Sequence, residues 1–204
     1  MCNFLSAVVL KNGDVLTHPL LDSHSDLVLY YKLPDGRAHH QHFAKVELTP
    51  QNDWLNPGDW IFRLDEETAP GWWDDVKASA ESTLRARAKS MVVTTGRKDL
   101  VLEGCWILAG NAIFSDVRGG RIVRIGGGTV KSIWGGTVES IGGGTVKSIR
   151  GGTVESIRGG TVESIWGGTV ESIWGGTVAK PGPYVTLSKQ AQEFIDSIER
   201  KEKR

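Results

Sequence analysis

From residue 119 to residue 182 the chain is written in eight-letter units, each opened by a glycine pair: GGRIVRIG, GGTVKSIW, GGTVESIG, GGTVKSIR, GGTVESIR, GGTVESIW, GGTVESIW and GGTVAKPG. The six central units, 127–174, are nearly identical, whereas the first is degenerate and the last runs into Pro181. Degenerate end units are expected of a stacked array, because its ends meet something other than a copy of themselves. The unit excludes a helix. Two adjacent glycines in every unit would cost an α-helix roughly 2 kcal/mol per unit. Thr, Val and Ile are β-branched and favour extended backbone, while Gly-Gly supplies a bend. Each unit is therefore read as one short strand and one turn.

One unit cannot enclose a core alone, so the units must coil. Two units per coil give a flattened two-sheet solenoid and three give a triangular one. Either way Val stacks on Val and Ile on Ile along the axis. The three-residue spacing from Val to Ile breaks strict alternation, so a bend at the intervening pair is needed for both to point inward. Side-chain ladders distinguish the two coils. A three-unit coil places Lys131 against Glu155 and Lys147 against Glu171, while a two-unit coil stacks Glu139, Glu155 and Glu171 on one another. Like charges opposed on neighbouring strands are unfavourable. Position eight argues the other way, because the two-unit coil brings more Trp and Arg side chains together. The two signals nearly cancel, and the reading leans to three units per coil. A disordered Gly-rich tail would lack the fixed Val/Ile register. An assembly-prone β-segment is the other alternative.

Composition divides the chain in the same places. Of the 26 glycines, 19 fall in 119–182. Residues 1–118 hold 12 Lys+Arg against 16 Asp+Glu, the array holds 7 against 4, and 183–204 hold 5 against 4. The expected organisation is an α+β head over 1–118, a β-solenoid (a single-stranded parallel β-helix) of eight octapeptide units over 119–182, and a C-terminal capping helix over 183–204. Ser188 is the expected N-cap, and Ala191, Phe194, Ile195 and Ile198 share one helical face. Such a helix would cover the open edge of the last coil. In the head, FLSAVVL and VLTH around NGD read as a hairpin, and HFAKVELTP and DWIFRLD as further strands. A short helix starts at Ser23 or Ser25 and a long one at Asp74 or Asp75. VVTTGRKDLVLEGCWILAGNAIFSDV reads as two or three strands feeding the first coil. The expected head core includes Phe4, Leu5, Val8, Leu10, Phe62, Leu84, Trp106 and Ile107.

A formal net charge of zero argues against a dedicated nucleic-acid binder, which needs a basic face. No apolar run approaches the length that crosses a bilayer, so no membrane span is expected. MCNFLSAVVLKNG makes a poor signal peptide, and two cysteines, Cys2 and Cys105, form no disulfide framework, which fits a reducing cytoplasm.

MCNFLSA at the start, SHSDL at 23–27, FRLDEETAPGWWDD at 62–75 and GCWILAGNA at 104–112 resemble a group of uncharacterised bacteriophage and bacterial proteins. Members begin almost identically and end in short Gly-containing repeats with Val, then Ile or Met, then Trp or Arg. The resemblance covers most of the chain. It implies a phage or bacterial setting and supplies no catalytic residues.

Two function classes follow. The first is a non-enzymatic interaction protein. Position eight runs Trp134, Gly142, Arg150, Arg158, Trp166, Trp174. Trp and Arg share no core preference, so this column is expected to face outward, and both are enriched at binding hot spots. A protein partner or a second copy is the expected occupant, and no cofactor is expected. The second class is an enzyme. Removal of Met1 would leave Cys2 with its α-amine beside the thiol, as in N-terminal-cysteine hydrolases and amidotransferases. His24 with Asp26 is a candidate acid–base pair that also reads as helix capping. His39, His40 and His42 lack a completing zinc set, so no residue is assigned to a metal. Asp65, Glu66 and Glu67 beside Trp72 and Trp73 suit glycan binding or acid–base work, with Glu66 and Trp72 the picks. A third, weaker reading takes the Thr column as an ice-binding lattice.

Overall fold

The computed structural model describes residues 5–34, 36, 39–51 and 53–202. It divides into two compact units, 1–91 and 92–204.

The first unit carries an antiparallel sheet in the order β2-β1-β3-β4, formed by β1 (Leu5–Leu10), β2 (Val15–Leu16), β3 (Phe43–Thr49) and β4 (Ile61–Leu64). β1 and β2 are the expected hairpin, with Gly13 at φ 92° in its turn. Between β2 and β3 lies helix α1 (His24–Tyr30), whose N-cap Ser23 accepts the Asp26 N–H. Helix α2 (Trp73–Met91) begins at Trp73, just ahead of the expected Asp74 or Asp75, and those two acids occupy its first turn. It buries Trp73, Ala80, Leu84, Ala88 and Met91 along one stripe. Leu5, Val8 and Leu84 are buried as expected, and Leu10 and Phe62 are half-buried. Phe4 lies outside the described residues.

The second unit is a β-solenoid, and it starts earlier than the glycine pairs announce. The strands over 92–117, expected in the head, are its first coils: β5 (Val92–Val93), β6 (Arg97–Val101), β7 (Cys105–Leu108) and β8 (Ile113–Val117). Trp106 and Ile107 therefore belong to the solenoid and not to the head core. β9 (Arg121–Ile125), β10 (Thr129–Ile133), β11 (Thr137–Ile141), β12 (Thr145–Ile149) and β13 (Thr153–Ile157) follow, one per unit. β14 (Thr161–Val162), β15 (Ile165–Val170), β16 (Thr177–Val178) and β17 (Pro181–Leu187) complete the stack. All of these pairings are parallel, and alternate strands pair: β10 with β8 and β12, β11 with β9 and β13.

Register fixes the coil. Val130 pairs with Val146 and Val138 with Val154, so one coil is two units long, and the reading of three units per coil is overturned. Core filling explains why. A triangle with one unit along each side, each side about 26 Å long at roughly 3.3 Å per residue, would hold its centre about 7.5 Å from every wall. Val and Ile cannot reach that far, and the interior would be left hollow. Two sheets about 10 Å apart are filled by the same side chains. Most of the ladder of like charges that argued against the two-unit coil stands in water, and its half-buried member, Glu139, is paired with Arg121. Lys131, Lys147, Glu155, Glu163 and Glu171 are all exposed. There the repulsion is screened and small beside the core term.

Val130, Ile133, Val138, Ile141, Val146, Ile149, Val154 and Ile157 are completely buried in one continuous core. The ladder pairs positions three, four, six and seven of each unit and omits five, which is where the sequence requires a bend. The two glycines of a corner serve different needs. At the first, a Cβ on Gly135 would stand 2.6 Å from the Arg118 carbonyl oxygen of the coil below. At the second, Gly136 has φ 77°, a left-handed conformation costly to other residues.

The far end is closed by the expected helix, but the stack runs past residue 182: residues 183–187, expected within the cap, belong to β17. Helix α3 (Lys189–Glu202) is capped by Ser188, whose Oγ accepts the Ala191 N–H at 3.1 Å. Ala191 and Ile195 are buried in the solenoid core, with Phe194 packed against it. The Gln190 side-chain amide accepts the Ile173 N–H and donates to the Ile173 carbonyl, so it replaces the next strand.

Candidate functional sites

With two units per coil, position eight splits into two rows. One row holds Leu102, Arg118, Trp134, Arg150 and Trp166, and the other holds Gly126, Gly142, Arg158 and Trp174. The sequence treated these as one column, but alternate members lie on different edges. All the non-glycine members are exposed: Trp134 to 47%, Trp166 to 58% and Trp174 to 67%. Within the first row, the Arg150 guanidinium lies over the Trp134 ring at 4.8 Å from its centroid. Its Nε donates to Ser148 Oγ, as Arg158 Nε does to Ser156 Oγ. Each arginine is thus held against the wall of its own coil. The threonines also form two columns, Thr129, Thr145, Thr161 and Thr177 on one sheet and Thr137, Thr153 and Thr169 on the other.

In the first unit the sequence candidates regroup into two His–carboxylate pairs. His24, the first residue of α1, is 4% exposed. Its Nε2–H donates to the Val46 carbonyl at 2.9 Å, and its Nδ1 lies 3.1 Å from Asp65 Oδ2. Asp26 is exposed in the first turn of α1, so the acid facing His24 is Asp65, not Asp26. Glu66 takes the other pair. His39 Nε2 lies 3.0 Å and 3.1 Å from its two carboxylate oxygens, and the Lys45 N–H also donates to it. The cluster Asp65-Glu66, just past the end of β4, is therefore split, with each acid serving a different histidine. Asp65 as partner of His24 is the residue that sequence reasoning missed, since the two stand far apart in the chain. Trp72 is half-buried, and its Nε1–H donates to the His40 carbonyl. Together with Lys11, Gln41 and His42 it lines an open hollow of about 480 Å³. Cys2 lies outside the described residues.

Comparison of the chain with protein-family models, with curated proteins and with solved structures found no match. Among the described residues, no helix is long and apolar enough to cross a membrane.

Proposed function

We propose that the chain is a non-enzymatic interaction protein whose solenoid edge is the contact surface, and that a second copy of the chain is its occupant. The supporting observation is the row Arg118, Trp134, Arg150, Trp166, one side chain per coil and all exposed. Cation and aromatic alternate along it at about 4.8 Å per coil. Such a row is complementary to itself. A two-fold axis placed between Trp134 and Arg150 sets Trp134 against Arg150 of the second copy and Arg118 against Trp166. Each pair occurs twice, as an isologous interface requires. Both rings are largely exposed, and exposed Trp and Arg are the residues that anchor interfaces. The stacking of Arg150 on Trp134 within the chain holds the row in place, which lowers the cost of ordering it on association.

Sedimentation velocity of the purified chain tests this. A dimer is expected that dissociates in the Trp134→Ser/Trp166→Ser double variant and persists in Trp174→Ser, whose ring lies on the other edge. A wild-type monomer at tens of micromolar overturns the reading, as does a dimer indifferent to the double change.

A further inference from the structure

We infer that His24, Glu47 and Asp65 form a binding site for a first-row divalent transition-metal ion. Their ligating atoms, one from each side chain, all lie within 4.8 Å of one another. The backbone accounts for the convergence. Glu47 on β3 pairs with Arg63 on β4, and the Asp65 N–H donates to the Lys45 carbonyl. Side chains two residues apart on a strand share a face, so Glu47 and Asp65 stand on the same face as diagonal neighbours. The start of α1 supplies the third group.

The histidine is set up as a ligand. Its Nε2–H is committed to the Val46 carbonyl, which fixes the tautomer and leaves Nδ1 as the nitrogen that faces the acids. Metal-bound histidines are typically anchored in this way, by a backbone carbonyl on the far ring nitrogen. Burial of the ring holds it in place, while Asp65 is 54% exposed, so an ion can enter from solvent. A divalent ion with two carboxylates and a neutral imidazole is a neutral assembly. The nitrogen donor favours zinc, manganese or iron over magnesium or calcium, which prefer oxygen alone. Ligands around such an ion stand about 3–3.5 Å apart at metal–ligand distances near 2.1 Å. The His24–Asp65 separation already meets that spacing, and rotation of the Glu47 side chain closes the remainder.

The second histidine pair is the natural control. Both carboxylate oxygens of Glu66 engage His39, whose Nδ1 faces the Gly36 carbonyl at 3.1 Å, so this ring is held by oxygen on both sides with one carboxylate. Among the described residues, the structure groups no third ligand with it.

Isothermal titration of the full chain, stripped with chelator, with zinc chloride and separately with manganese chloride tests the inference. One ion per chain is expected for at least one metal, at micromolar affinity or tighter. Asp65→Asn and Glu47→Gln should each weaken it at least tenfold, and His39→Gln should not. Because His24 is buried and its replacement threatens folding, Asp65→Asn is the deciding variant, with circular dichroism confirming its fold. No binding by the wild type means that His24 and Asp65 are an ion pair only, and the site is rejected. Binding that survives both carboxylate changes, from His40 and His42 for example, rejects it equally.

Discussion

The two units bury apolar side chains by opposite means. The solenoid uses two residue types in one register: Val at position four and Ile at position seven of every central unit are buried, and within the array they stack on their copies in neighbouring coils. The first unit assembles side chains of unlike size from distant segments. Phe43 from β3, Leu27 and Val28 from α1 and Val8 from β1 form one cluster. In the repeat, a position has a single meaning in every coil, so what varies is what the coil does not need. Position eight is free to be Trp, Arg or Gly because it points away from the core. In the first unit each position has its own meaning, and chemistry-bearing groups such as His24 are held by neighbours no repeat supplies. The repeat thus offers a surface, and the irregular unit offers sites.

The contrast is sharpest at the open ends. A stack of identical strands presents an edge that another stack can extend, whereas the outer strands of the first unit, β2 and β4, are short. Deleting 189–204 should therefore have the largest effect. It strips Ala191, Phe194 and Ile195 from the end of the solenoid core and leaves the Ile173 backbone N–H and carbonyl without the Gln190 amide. Light scattering should show aggregation at concentrations where the full chain stays dispersed. A clear, unaggregated solution of the truncated chain would mean that α3 does not guard the edge.

The next effect separates glycines within the array. Gly136→Ala forces φ 77° on a residue with a Cβ, and that Cβ would meet the Gly120 carbonyl oxygen at 2.6 Å. A loss of about 2–4 kcal/mol is expected in denaturant unfolding. Gly142→Ala is the matched change at position eight, where the nearest atom is the Arg124 guanidinium at 3.4 Å. It should stay within about 0.5 kcal/mol. Equal losses at the two sites would remove the distinction between corner and surface on which the display reading rests.

The repeat was legible because its signal is periodic. Val and Ile at fixed positions and paired glycines announce strand, turn and core without knowledge of any distant contact. Its coil length was less legible because surface charge pairs, which water weakens, point to three units, whereas the volume that Val and Ile can fill admits two. Its start was misjudged because Arg97–Val101 and Ile113–Val117 stack in register with Thr129–Ile133 while sharing few of its letters. Ala109, Gly110 and Asn111 make the same corner with one glycine where later units use two. The sites of the first unit were legible only in part. His24 and Glu66 attract notice as residue types, but their partners are set by strand pairing and by the placement of α1. Nothing in the spacing of His24, Glu47 and Asp65 announces that they converge.

The smallest expected effect tests whether the cap is held by charge as well as by its apolar face. Lys180, just before β17, places Nζ 2.7 Å from Glu199 Oε1 on α3. That hydrogen bond first, and the attraction between the two charges second, raise the ammonium above its ordinary value of 10.5. A group whose pKa is raised on folding stabilises the fold fully below its unfolded value and ceases to do so as the pH climbs through the folded one. Lys180→Met should therefore lower the thermal midpoint by at most a degree or two at pH 8, because exposed pairs contribute little. The gap to the wild type should narrow only above about pH 10.5, where the unfolded chain begins to lose this proton. High salt at pH 8 should narrow it in the same way. A gap unchanged by both alkali and salt would assign the loss to the aliphatic stem of Lys180 packing on α3, and the ion pair would then add nothing to the apolar face and the Gln190 amide that hold the cap.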